Sequence, residues 1–236
     1  MILSHGATRK HLLREVLGQT QVMTTVQLQR HDLLPLRTPL RLPQRTYTIA
    51  TRTTQQTSQC TLTFVALEEA ILQRHTPPEL GHLAGLAEAW LRVGDADILH
   101  VPALSQGEWR LVQPAERQQG SRREGRSGHL PDAEILGTGI RTKDWAVEMD
   151  AGYPRDRKLE KLRGFAQQGY RHILWVTSVH GLVRPISSMM QCLHDEGQLP
   201  GVVSGAALFT DYWSERDPFR SDRRCHDKRL FVHRVF

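Results

Sequence analysis

The chain has 236 residues, of which 39 % are hydrophobic, and a net charge of +6. That length suits one large domain or two small ones, with apolar material enough for a core of ordinary size. No run approaches the roughly 18 apolar residues of a membrane span, which counts against a membrane protein. Residues 1–6 have neither the basic nor the apolar region of a secretion leader. Cys60, Cys192 and Cys225 stand singly, without disulfide pairing or metal-ligand spacing. A reducing cytoplasm is therefore the expected compartment. The positive balance, with a pI near 9.6, favours a polyanionic partner. Arg far outnumbers Lys, and the guanidinium fork grips two phosphate oxygens at once.

In chain order, residues 8–17 carry Leu12, Leu13, Val16 and Leu17 at helical spacing, with Gly18 as the expected stop. Thr24 and Thr25 are placed to cap a second short helix with Val26, Leu28 and Leu33 as its apolar residues. Pro35, Pro39 and Pro43 forbid a long helix after it. Residues 46–51 and 59–65, rich in β-branched and aromatic side chains, predict a hairpin across a polar linker. Residues 67–73 predict another helix. Helix, helix, hairpin, helix is the outline of a winged helix, with the recognition segment falling within 29–42. A small α+β cap without DNA contact is the alternative.

His75-Thr76-Pro77-Pro78 breaks the pattern and is the expected domain boundary, giving a module over 1–78 and a second domain over 79–236. Residues 79–93 form an amphipathic helix with Leu83, Leu86, Ala87, Trp90 and Leu91 on one stripe. Short strands are expected at 98–104 and 109–112. Between 117 and 128 lies a polar, Gly- and Arg-rich loop that cannot form a packed core. Its Arg117, Arg122, Arg123 and Arg126 are the candidates for lying along a phosphate backbone; a solvated loop is the alternative. Strands follow at 129–136 and 144–149, with a turn between them at 137–142. Gly152-Tyr153-Pro154 breaks the second strand. A charged helix is expected at 155–168, a doubly buried strand at 171–178, a helix at 186–197, and closing strands at 202–210 and 230–235. No internal repeat is present.

Three acids converge in this arrangement. Glu148 and Asp150 are two apart on a strand and so share a face. A hairpin brings Asp132 beside them. Clusters of carboxylate oxygens take Mg²⁺ or Mn²⁺, and such a metal polarises phosphate oxygens and activates water for phosphodiester hydrolysis. Surface acids paired with Arg155 or Lys158 are the alternative. His129 beside the cluster and the Cys225-His226 pair lack metal-site spacing. No P-loop, dinucleotide fingerprint or nucleophile elbow occurs.

Pro131-Asp132, a hairpin-length spacer and Glu148-Met149-Asp150 resemble the PD-(D/E)XK nuclease core. The longer run, GHLPDAEI followed by VEMDAG, KLEKLRGF and HILWVTS, resembles the replication-relaxation family of plasmids and other mobile elements. The likeness covers His82 to Ser178 well and the first eighty or so residues loosely. It implies an α/β protein: a small N-terminal winged-helix-like module followed by a restriction-endonuclease-like mixed sheet flanked by helices. It also implies DNA as partner, no membrane, and Mg²⁺ or Mn²⁺ held by Asp132, Glu148 and Asp150 if the enzyme is active. One departure stands out: the motif's lysine is replaced by Asp150. In some relatives the basic residue moves to the following helix, where Lys161, and after it Lys158, are the candidates. Glu88 is a candidate fourth carboxylate.

Three readings follow: a mobile-element DNA-binding protein with a metal-dependent endonuclease domain, acting in replication or its control; a catalytically inactive nuclease fold serving as a DNA- or protein-binding regulator; and a small basic protein that binds other proteins. A homodimer is compatible with each.

Overall fold

The computed structural model describes residues 5–52, 57–93, 108–112, 130–136, 143–219 and 232–236. The chain is a mixed α/β protein that divides into two compact units, Met1–Arg92 with Thr210–His226, and Val93–Phe209 with Asp227–Phe236. Among the described residues no helix is long and apolar enough to cross a membrane.

The first unit begins with α1 (His5–Thr20), β1 (Val22–Thr24) and α2 (Thr25–Arg30), followed by a single 3-10 turn at Leu34–Leu36. Leu13, Val16 and Leu17 place one stripe of α1 in a core shared with Met23, Leu28, Leu33, Leu42, Val65 and Ala87. Gly18 does not end the helix. It continues to Thr20, whose hydroxyl donates to the Val16 carbonyl at 2.7 Å, and stops where Gln21 takes a left-handed φ of 72°. α2 starts where expected, on a complete capping box: the Gln27 amide donates to the Thr24 hydroxyl at 3.2 Å and the Thr24 amide to the Gln27 side chain at 2.8 Å. The prolines leave only the 3-10 turn between α2 and the hairpin.

That hairpin, β2 (Gln44–Arg52) and β3 (Thr57–Ala66), runs in unbroken register from Gln44↔Val65 to Arg52↔Thr57. β1, which propensity alone did not mark, pairs on the far side of β3, giving the order β1-β3-β2. α3 (Glu69–Arg74) and α4 (Pro77–Val93) complete the unit's helices.

The division into units falls after Arg92 rather than at the expected boundary after Pro78. Pro77 and Pro78 simply open α4, where a missing N–H costs nothing. What fastens α4 to the first unit is a buried charge network. Arg30 donates to Glu88 at 3.1 Å, Arg92 donates to Glu88 at 2.7 Å, and Gln27 donates to the other Glu88 oxygen at 3.0 Å. Arg92 grips both oxygens of Asp217 at 2.9 and 3.1 Å and lies over the Phe219 ring. Arg30 donates at 2.5 Å to the carbonyl of Asp211 and also to that of Ser214. Residues 210–219 are thereby sewn back onto the first unit.

The second unit is built on a six-stranded sheet in the order β4-β5-β6-β7-β8-β9. β4 (Glu108–Leu111), β5 (Ala133–Leu136) and β6 (Lys143–Asp150) form an antiparallel meander. From β6 the chain crosses through α5 (Arg155–Gln167) to the parallel β7 (His172–Thr177). It then crosses through α6 (Val183–Asp195) to the parallel β8 (Ser204–Phe209), with β9 (Val232–Arg234) antiparallel at the edge. Five consecutive residues of β7, Ile173 to Thr177, are buried, as its apolar run predicts. At Gly205 a side chain would press on Phe236 at 3.3 Å and Met190 at 3.4 Å, so glycine lets α6 and the Phe236 ring close onto the sheet. The strand expected at 98–104 and the turn at 137–142 lie outside the described residues.

Burial opposes ionisation of Glu88, but the nearby His31 ring and the Arg92 and Arg30 charges together outweigh it and hold its carboxyl well below the ordinary 4.5. A carboxylate with a depressed folded pKa contributes stability above its unfolded pKa and loses it as pH falls toward the folded value. Urea titrations should therefore show Glu88→Gln less stable than wild type by about 3 kcal/mol at neutral pH. The gap should narrow as pH falls below 4.5. A gap that is constant with pH would contradict the network.

Candidate active site

The acids of interest lie on the middle strands of the second unit. Ala133 pairs with Val147, the last pair of the β5–β6 register, and Asp132 stands one residue before β5. Asp132 is not inside the strand, as the sequence suggested: its amide donates to the Val147 carbonyl at 3.0 Å, one residue out of the ladder's register, and its carbonyl accepts from the Val112 amide at 2.9 Å. Glu148 and Asp150 alternate on β6 and sit beside Trp175 and Thr177 in the parallel register with β7. All three acids are buried: Asp132 is 2 % exposed and Glu148 and Asp150 are 0 %.

A buried carboxylate must be met by donors or a cation, and α5 supplies two. Lys161 Nζ is 2.5 Å from Glu148 Oε1, and Lys158 Nζ is 3.0 Å from Asp150 Oδ2. The two lysines are three apart on one helical face and both are buried. α5 thus brings Lys161 to Glu148 and Lys158 to Asp150.

Asp150 has a different place from the other acids. Its Oδ1 accepts from the amides of Gly152 at 2.6 Å and Tyr153 at 2.5 Å, while its Oδ2 accepts from Trp175 Nε1 at 3.2 Å and faces Lys158. Four donors fill a carboxylate's acceptor sites. Asp150 therefore clamps the β6–α5 turn. Asp132 Oδ2 accepts from the Met149 amide at 2.9 Å, which ties the meander strand to β6 at the level of Glu148.

Tyr153 closes over the group. Its carbonyl accepts from Lys158, its ring lies 5.4 Å from Lys161 Nζ and 4.6 Å from the Arg157 guanidinium. Burial, and next the charges of Glu148 and Asp132, hold its phenol well above the ordinary range, so it remains a protonated hydrogen-bond donor beside the acids. Sequence reasoning registered Gly152-Tyr153-Pro154 only as a strand breaker, and Trp175 only as core. The signal that could have found them is position: Tyr153 follows the acidic pair directly, and Trp175 is the single aromatic amid an aliphatic strand.

A fourth buried acid on the same sheet, Glu134, is held by Arg110 Nε at 3.0 Å and Nη2 at 2.5 Å, and by the Tyr170 hydroxyl. Glu88 belongs to the first unit, where Arg30, Arg92 and Gln27 occupy it. His129, Cys225 and the loop arginines Arg117, Arg122, Arg123 and Arg126 lie outside the described residues.

Among the described residues no three His, Cys, Asp or Glu side chains stand together as a metal-holding group. Asp132 and Glu148 are two buried carboxylates on neighbouring parts of the sheet. They are hard oxygen donors, the class that Mg²⁺ and Mn²⁺ take, and to that extent the residues fit such an ion. No protein-family model, curated protein or solved structure matches the chain.

The Lys161–Glu148 pair generates a thermodynamic expectation. Glu148→Ala strands a buried ammonium and should cost about 3–5 kcal/mol in urea unfolding, whereas Glu148→Ala with Lys161→Met should recover most of that loss. Additive losses would mean the two side chains do not depend on each other.

Proposed function

We propose that the chain is a DNA-binding protein whose second unit is a PD-(D/E)XK-type, metal-dependent endonuclease domain, of the kind the replication-relaxation resemblance implies. The observation that carries this reading is the approach of Lys161 to Glu148. It supports a lysine moved from the motif's strand position, now Asp150, onto the following helix. The antiparallel meander, helical crossover and parallel strand agree with that core. The helix–strand–helix–hairpin order of the first unit agrees with a winged helix whose recognition segment is cut to a 3-10 turn. Net positive charge adds to the case for DNA as partner.

In this reading Asp132 and Glu148 would hold the Mg²⁺ or Mn²⁺, which supplies Lewis-acid polarisation of the phosphate and a more acidic water. Lys161, already beside Glu148, stabilises the negative charge that develops on the phosphate oxygens. Tyr153 lays its ring beside the Lys161 ammonium. Asp150 and Trp175 hold the β6–α5 turn so that the lysine face of α5 meets β6. A cytoplasmic role in the replication of a plasmid or other mobile element is the corresponding cellular proposal.

The inactive alternative, a nuclease fold retained as a DNA- or protein-binding regulator, is favoured by the same lysine pairs, which leave no ready three-carboxylate site.

Supercoiled DNA incubated with Mg²⁺, Mn²⁺ or EDTA separates them. An active enzyme nicks with metal only, and Glu148→Gln, Asp132→Asn and Lys161→Ala each lower the rate at least about 100-fold while DNA binding persists. DNA that is retarded but uncut in every condition would establish the binder. Binding that is insensitive to salt would remove the nucleic-acid reading itself.

A further inference from the structure

We propose that a cleft beside the acid cluster is a subsite for an unstacked deoxynucleotide, a base with its phosphate. The inference rests on the nucleic-acid reading above and narrows it to DNA with single-stranded or extruded character. The cleft measures about 490 Å³ and opens between the first turns of α5 and α6. Its walls divide by chemistry. Tyr153, Arg155 and Lys158 line one side; Leu182, Ile186 and Met189 line the other. Lys158 ties the cleft directly to the cluster, since the same ammonium faces Asp150. The exposed Arg155 stands at the mouth.

A cation pair beside an apolar wall suits neither of the simpler ligands. Inorganic phosphate has no use for Leu182, Ile186 and Met189, and an apolar ligand has none for Arg155 and Lys158. A nucleotide uses both: its phosphate meets the cations and its base lies against the apolar wall and the Tyr153 ring, the combination that single-strand binding sites employ. A base stacked within a duplex cannot enter a cleft of this kind, so occupancy selects an unpaired or extruded nucleotide. The cleft's position places that nucleotide next to the phosphate addressed by Glu148 and Lys161.

The test is equilibrium binding of the full chain in EDTA to a short fluorescent oligothymidylate, with dTMP, thymidine and inorganic phosphate as competitors. Two variants outside the proposed catalytic group are compared, Arg155→Ala at the mouth and Met189→Glu on the apolar wall. The expected result is that dTMP competes at least about tenfold better than thymidine or phosphate. Each variant should weaken oligothymidylate binding about tenfold while changing duplex binding by less than about twofold. The proposal is overturned if phosphate competes as well as dTMP, or if both variants bind oligothymidylate as wild type does. Nicking of supercoiled DNA is scored separately. Wild-type nicking by variants with unchanged oligothymidylate binding retires the subsite and leaves the nuclease reading standing. Selective dTMP binding without any nicking retains the subsite and retires the nuclease.

Discussion

Carboxylates removed from water must be met by charge or by hydrogen-bond donors, and the second unit buries four of them on two adjacent strands: Asp132, Glu134, Glu148 and Asp150. Everything packed on that part of the sheet answers to this requirement. Arg110 and Tyr170 meet Glu134. The Met149 amide meets Asp132. The turn amides, Trp175 and Lys158 meet Asp150, and Lys161 meets Glu148. The helix α5 is held to the sheet by its apolar Leu162 and Phe165 and by two buried ammonium groups whose partners lie on β6. An apolar core of the same volume would be at least as stable.

The first unit meets the same requirement for a different end. Glu88 is as deeply buried as Glu148, yet it is surrounded by Arg30, Arg92 and Gln27, with every partner directed at holding α4 and residues 210–219 in place. Two buried acids with similar exposure therefore differ in their surroundings: Glu88 is met by the arginines Arg30 and Arg92, whereas Glu148 is met by Lys161 beside the Tyr153 ring.

Much of this was legible in the sequence where local chemistry decides the outcome. The Thr24 cap with Gln27, the β-branched hairpin, the aliphatic run of β7 and the i, i+2 acids on β6 are short-range patterns, and the chain folds as they direct. The pairing of Lys161 with Glu148 was reachable because helix period and strand period both fix a face. What escaped were features settled at long range or by single dihedrals. β1 exists because β3 offers an edge, not because Val22, Met23 and Thr24 demand a strand. α1 passes Gly18 and ends on Gln21, whose left-handed backbone no propensity scale marks. The unit boundary misled because two prolines signal a helix start as readily as a linker, and only contacts from residues 210–219 reveal to which unit α4 belongs. The second role of Asp150 was hidden for the same reason: its four donors come from the following turn, from β7 and from α5.

The account rests on Asp132 and Glu148 forming the seat of a divalent cation. The most direct test is anomalous diffraction from crystals of the full chain grown with Mn²⁺. The account predicts a peak between the Asp132 and Glu148 carboxylates, with the Lys161 ammonium displaced from Glu148 and Asp150 unmoved in its clamp. An intact Lys161–Glu148 pair at saturating Mn²⁺, with no peak beside either carboxylate, would contradict it.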